Sequence, residues 1–277
     1  MNFKEKYQIK KQYLTNNTKR RSGQLISPKV KFIVAHDTGN AKSTAQNNVS
    51  YYERTNNEAY ASAHIFVDDK DIIECIPAIT SEKPEKAWHV RYNVSKDNEL
   101  YGFEANDVAV GVEYCYGENI NAYESYKRYV WIIAYICYKY NLNPNVSIVG
   151  HHLLDPGRKF DPASGLKHSG RTYEQLLKDI VSEYEECGDK ELIQKKEKIQ
   201  LVDSIISNQN NFMETFLNPA SKKIYAVGND GKKHWIFNEE SFTAGKNMGL
   251  WKENLYEVKS QSDNSYEEGD VLIFVKV

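Results

Sequence analysis

The chain has 277 residues and a formal net charge of -2, from 36 lysines and arginines against 38 aspartates and glutamates. It is 40% hydrophobic and 12% aromatic, enough apolar surface to offset the entropy of ordering most of the chain, which excludes a disordered polymer. The balanced charge gives no electrostatic basis for nucleic acid as the main partner, and Cys75, Cys115, Cys137 and Cys187 form no CxxC pair, so they read as free thiols.

The amino terminus, MNFKEKYQIKKQYLTNN, lacks the apolar core of a signal peptide, and YVWIIAYICYKY is too short to span a bilayer. The expectation is a soluble cytoplasmic product with no stable membrane insertion; if it acts outside the cell, something else must release it. The basic run KKQYLTNNTKRR reads as a solvated, flexible approach to the first strand.

Residues 29–35, KVKFIVA, form a buried strand that ends at His36, Asp37, Thr38 and Gly39. NVSYYERTN reads as the end of a helix, and SAHIFVDD and DIIECIPA as two strands around a charged turn. NDVAVGVEYCYG is a further buried strand whose alternation puts Val110, Val112 and Tyr114 on one face and Ala109, Gly111 and Glu113 on the other. A carboxylate at Glu113 inside such a run is expensive to bury unless it is hydrogen-bonded or functional.

Tyr123 to Tyr140 has helical spacing and is ended by Asn141 to Pro144; VSIVG is then a short strand running into His151. Thr172, with Gln175 three positions on, caps a helix over TYEQLLKDIVSEYEE. The predicted architecture is an α/β domain over 1–182, a mixed central sheet flanked by helices. A linker or connecting helix follows over 183–214, then a small β-rich domain over 215–277 with a hairpin around Asn229, Asp230, Gly231 and Lys232.

His36, His64, Glu113, His151 with His152, and Lys159 with Asp161 all fall close to strand ends. Catalytic zinc takes three protein ligands, commonly imidazoles with a carboxylate or thiolate, and keeps a fourth position open. His36, His151 and Asp161 meet that requirement, and Pro156 and Gly157 allow the HHLLDPGRKFD loop to fold back on itself. Asp37 and Asp155 read as loop-capping groups, Arg158 as a cation for an acidic ligand or a neighbouring acid, and His152 as pointing away from the site.

AHDTG, SAHIFVDD, AWH, VGVEY and GHHLLDPGRKFDP resemble, in order and local pattern, the type 2 N-acetylmuramoyl-L-alanine amidases, a family that includes phage endolysins and peptidoglycan recognition proteins. The resemblance covers roughly residues 25 to 180. It implies one catalytic Zn2+ held by His36, His151 and Asp161, with Glu113 as general base and Lys159 stabilising the charged intermediate. It further implies bacterial peptidoglycan as substrate, cell lysis as outcome, and a phage endolysin as the setting. Some members carry a tyrosine before the histidine matched by His64; this chain has Ala63, which favours comparison with the glutamate-bearing subgroup.

His64 reads either as a substrate-groove residue or as one that orients the metal site or packs, and His89 of AWH as lining the groove. Residues 215–277 offer Tyr225, His234, Trp235, Phe237, Phe242 and Trp251, read as a wall-binding platform or as the core of a small domain. Two other functions stay open on these residues: a peptidoglycan-binding protein without activity, and a zinc endopeptidase cutting within the stem peptide.

Overall fold

The computed structural model describes residues 3–188, 214–219, 223–227, 232–236, 241–243, 246, 259–260 and 267–268. The chain divides into two compact units, Met1–Lys190 and Glu191–Val277.

The first unit is built on a six-stranded sheet in the order β1-β4-β3-β5-β2-β6. Its strands are β1 (Ile9–Lys11), β2 (Phe32–Asp37), β3 (Ile65–Val67), β4 (Ile72–Glu74), β5 (Ala109–Tyr114) and β6 (Ile148–Gly150). β3, β5, β2 and β6 run parallel, β4 is antiparallel to β3, and β1 is parallel to β4. Every residue of β2 is buried, as expected for a central strand of a parallel sheet covered on both faces.

One face is covered by α4 (Ala122–Tyr140), which packs against α7 (Tyr173–Cys187). Asn121 caps α4 through its side chain and Asn141 ends it in the left-handed conformation. α7 opens with the predicted capping box, in which Thr172 and Gln175 each accept the other's backbone N–H. Tyr114 meets Tyr129 of α4 on this face, and the Tyr129 hydroxyl donates to the backbone carbonyl of His36 at 3.0 Å. α4 thus holds the end of β2 from behind.

On the other face α1 (Ala45–Arg54) packs its Ala45 and Val49 with Phe66 and Ile73. α2 (Lys96–Tyr101) and α3 (Ala105–Val108) lie over Phe32, Val34 and Ala109. Asp68 forms the charged turn between β3 and β4, accepting from the N–H groups of Lys70 and Asp71, and its second oxygen accepts from Ala45 N at the start of α1. One carboxylate therefore fixes both the hairpin and the helix beside it.

Three expectations need correction. The basic amino-terminal run is not a flexible approach: Ile9–Lys11 pair with β4, and two of its cations are held inside the fold. Arg20 donates to the Thr55 carbonyl, the Thr55 hydroxyl and the Ala61 carbonyl, while Arg21 grips both oxygens of Glu85 at 2.8 Å. A charge run reads as solvated only while Thr55, Ala61 and Glu85, 35 or more positions away, are out of view.

The strand predicted from NDVAVGVEYCYG begins only at Ala109, because Ala105–Val108 turn as α3. There the Asn106 side chain accepts from His89 N and Val90 N and donates to the Val90 carbonyl. A domain end at 182 falls within α7, whose last residue accepts from Lys4 N and whose Glu183 takes Lys6; residues 189–213 of the predicted linker lie outside the described residues.

The second unit contains a sheet in the order β10-β7-β8-β9-β11, with β7 (Glu214–Leu217), β8 (Ile224–Val227), β9 (Lys232–Ile236), β10 (Lys259–Ser260) and β11 (Glu267–Glu268). β7, β8 and β9 are successively antiparallel, and β10 and β11 add in parallel at the two edges. Tyr225, His234 and Phe242 are buried and Trp235 half-buried, which places the first three in packing, one of the two readings of these residues. Phe237, Trp251 and residues 228–231 of the predicted turn lie outside the described residues.

Candidate metal centre

The registers of the parallel strands assemble the site at their carboxyl ends, where open α/β sheets place ligands. His36 lies opposite Glu113 across the β2–β5 ladder, so the two side chains leave the sheet on the same face. Ala35 lies opposite Gly150 on β6, so the next residue, His151, arrives beside His36. The rings meet edge to face with centroids 4.6 Å apart.

Asp161 is returned to the two histidines by a loop closed on itself. His152 N donates to the Asp161 carbonyl at 2.9 Å, Lys159 N donates to the Asp155 carbonyl, and Arg158 pairs with Asp155. Gly157 takes the left-handed conformation, φ +83°, that the turn requires. Asp37 caps the neighbouring loop by accepting from Gly39 N, Ser164 Oγ and Gly165 N. Asp37, Asp155 and Arg158 are thus all engaged in loop contacts.

Asp161 Oδ2 lies 3.0 Å from His36 Nδ1 and 3.0 Å from His151 Nδ1, and the three donor atoms fall within 4.8 Å of one another. Ligand atoms held at about 2.0–2.2 Å by a tetrahedral ion lie roughly 3.3 Å apart, so the set fits a divalent metal with little movement. Two imidazoles and one carboxylate leave a fourth position for a non-protein ligand.

The electrostatics favour the ligand forms of these groups. Burial, reinforced by His151, lowers His36 to about 4. Burial alone would raise the Asp161 carboxyl, but hydrogen bonds from His151 and His36 overrule it and hold it below the ordinary carboxylate range. His36 and Asp161 are therefore a neutral imidazole and an anionic carboxylate, not an imidazolium ion pair.

Glu113 is pushed far up, first by burial and then by the negative charges of Asp161 and Asp37, with Lys159 pulling the other way. Its Oε2 is buried without a hydrogen-bond partner. A buried carboxyl with an unpartnered oxygen beside a ligand cluster makes Glu113 a candidate for proton transfer.

Two cavities flank the cluster. A groove of about 510 Å³ is lined by Trp88, His89, Tyr92, His151, Arg158 and Lys159. A more polar cavity of about 450 Å³ contains Glu113 with Thr38, Asn40, Asn47 and Tyr52. His64 reaches neither: it is fully buried, accepts Gly111 N–H at Nδ1 and meets the Glu85 carbonyl at Nε2. Of its two readings the packing one describes it, and the groove assignment does not hold. His152 turns away against Tyr173.

His89 does line the groove, and it does something the sequence did not indicate: its Nδ1 lies 3.0 Å from His36 Nε2. Gly111 makes room for that ring. A Cβ there would lie 2.7 Å from His89 Cγ and 2.9 Å from its Nδ1. Gly111→Ala is therefore expected to push His89 off His36 and destabilise the unit by about 1–3 kcal/mol, seen as a lower thermal midpoint together with changed His36 and His89 ring resonances. Unchanged resonances would show that the strand absorbs the methyl group elsewhere.

Residues 27–164 match the family model described as N-acetylmuramoyl-L-alanine amidase. The chain is 32% identical over 146 residues to the N-acetylmuramoyl-L-alanine amidase BlyA of Bacillus subtilis (strain 168), a match covering 50% of this chain and 38% of that protein. The chain thus spans well under half the length of that curated relative. The catalytic domain of XlyA is similar in fold, with a TM-score of 0.50 at 20% identity over 63% of this chain and 99% of that one. A mutant endolysin from Bacillus subtilis has a TM-score of 0.49 at 19% identity, over 62% and 98% of the two chains. Through residues 27–164, which carry the whole cluster, the chain belongs to the N-acetylmuramoyl-L-alanine amidase family.

Proposed function

We propose that this protein is a zinc-dependent amidase that hydrolyses the bond between N-acetylmuramic acid and L-alanine in bacterial peptidoglycan, acting as a lytic enzyme of the endolysin kind. The observation that carries the reading is the convergence of His36 and His151 on one oxygen of Asp161, with Glu113 on the adjacent strand. In this reading His36, His151 and Asp161 hold one zinc ion. When bound, the ion acidifies water and polarises an amide carbonyl.

The remaining work falls to side chains. Glu113 accepts a proton from the attacking water as the new C–O bond forms, and delivers one to the departing L-alanine nitrogen as the C–N bond breaks. Burial and the charges of Asp161 and Asp37 raise its pKa, which favours the protonated form that delivers the second proton. Lys159 lines the groove beside His151 and holds negative charge developing on the carbonyl oxygen. Trp88 and Tyr92 offer ring faces to sugar or peptide, and the Lys159 cation suits a carboxylate-bearing stem peptide. We assign wall targeting to the second unit.

Mass spectrometry of purified peptidoglycan digested by the protein, with chelated and zinc-restored samples in parallel, tests this. Glycan released together with peptides bearing free L-alanine amino termini, only in the presence of metal, is the expected result. Metal-dependent cuts inside the peptide would reassign it as an endopeptidase, and binding without products would make it a recognition protein.

A further inference from the structure

The two cavities beside the metal cluster share one piece of chain. Tyr51, Tyr52 and Arg54, at the end of α1, line the cavity that contains Glu113, and Tyr60 and Ala61, in the turn that follows, line the groove with Trp88 and Lys159. Tyr60 is 65% exposed and meets Trp88 edge to face, with ring centroids 5.6 Å apart. The turn therefore builds part of the groove's open aromatic wall.

This piece of chain is held from behind by Arg20, which is 4% exposed and lies outside the linings of both cavities. Its Nε donates to the Thr55 carbonyl and the Thr55 hydroxyl, each at 3.0 Å, and its Nη1 donates to the Ala61 carbonyl. The guanidinium also lies over two rings, 4.3 Å from the centroid of Tyr52 and 5.2 Å from that of Tyr51. One side chain thus touches Tyr51 and Tyr52 of one cavity and Ala61 of the other. The residues around it extend the hold: Arg20 N donates to the Asn56 carbonyl at 3.0 Å, Lys19 N to Asn57 Oδ1 at 3.2 Å, and Thr15 N to Glu53 Oε2 at 2.9 Å. All three donors precede residue 27, where the family match begins, so the brace comes from outside the matched residues.

Backbone carbonyls in a turn need partners if the turn is to keep one conformation. A planar guanidinium supplies several donors in a fixed fork, where an ammonium supplies a compact point charge. We propose that Arg20 is a positioning residue for the hydrolysis described above: it fixes residues 51–61 as the wall common to both cavities, and so favours a muramoyl peptide long enough to occupy both over a shorter one. The proposal rests on the amidase reading. With the brace in place the wall is ordered before substrate arrives; without it, ordering must accompany binding and weakens it. The chemical step is carried elsewhere, by His36 on β2, Glu113 on β5 and the loop from His151 to Asp161.

The test compares Arg20→Lys with the wild type, as zinc-loaded full chains, on a soluble N-acetylmuramoyl tetrapeptide and on N-acetylmuramoyl-L-alanine, with thermal midpoint and zinc content recorded for each protein. Lys keeps the charge and loses the fork. For the tetrapeptide, kcat/KM should fall about tenfold through KM, with kcat within about twofold. For the short substrate, both constants should stay within about twofold. Thr55→Val, which removes one of the three acceptors, should raise the tetrapeptide KM about threefold, and it carries the test if Arg20→Lys fails to fold.

Equal losses on the two substrates, or an unchanged tetrapeptide KM, overturn the proposal and leave Arg20 a stabilising residue only. If the wild type releases no product from either substrate, the amidase reading falls, and calorimetric affinity for the same two compounds reads the brace instead. Weaker binding of the tetrapeptide alone in Arg20→Lys then supports it, and equal affinities overturn it. A wild type that binds neither compound overturns both readings.

Discussion

Asp161→Ala is expected to empty the site of metal and reduce amide hydrolysis by at least about 10³-fold, because it removes the one atom on which both histidines converge. Loss of an outer partner of a zinc ligand already weakens binding by about 10–100-fold, and loss of a ligand should exceed that. The fold should survive, since the strands that carry His36 and His151 are held by their ladders and by Tyr129 behind β2. Two buried imidazoles would lose their acceptor, so the zinc-free variant should be less stable than the zinc-free wild type by about 1–3 kcal/mol at neutral pH.

That difference has a defined pH dependence. The folded Asp161 carboxyl is held below its ordinary range, so its stabilising contribution is complete above about pH 4 and disappears as pH falls through the lowered folded value. Thermal melts of the two proteins should therefore converge toward strongly acid pH. Metal content measured by mass spectrometry and hydrolysis of purified walls complete the test. A variant with wild-type zinc and wild-type rate would remove Asp161 from the ligand set, and His36→Ala, measured the same way, should lose both.

The central strands, α4, α7 and the candidate ligands were legible because each is written locally. FIVAHD is an unbroken apolar run closed by polar groups, TYEQ is a capping box, and GHHLLDPGRKFD has a turn at its middle and ligand-type residues at its ends. Arg20, Arg21, His64 and His89 were not, because their roles depend on partners brought close only by the fold. Arg21 needs Glu85, 64 positions on; His64 needs the backbone of residues 85 and 111; His89 needs His36, 53 positions back. Gly111 is the one local trace of the last contact: a glycine in the middle of a buried strand marks a close approach, here that of the His89 ring.

Glu113→Gln should separate function from stability. In the proposed role of general base Glu113 should contribute about 10²–10⁴-fold, and the Gln amide cannot take a proton, so hydrolysis should fall by that factor. The same substitution should stabilise the zinc-free protein, because Oε2 is buried without a partner and its charge is opposed by burial and by Asp161 and Asp37. A carboxyl whose folded pKa is raised loses stability as pH rises from its unfolded value, about 4.3, through the folded one. The gain from Gln should thus be absent near pH 4 and grow toward pH 8, where relief of about 1 kcal/mol would raise the thermal midpoint by roughly 2–4 °C. Activity of the wild type should rise with pH as Glu113 ionises. A Gln variant that is inactive but less stable at pH 8 would mean that an unseen partner satisfies the carboxylate. One that is stabilised yet fully active would move the base to another residue. The expected pair, lost rate with gained stability, would identify Glu113 as a position where the fold accepts an unfavourable buried charge because hydrolysis requires it.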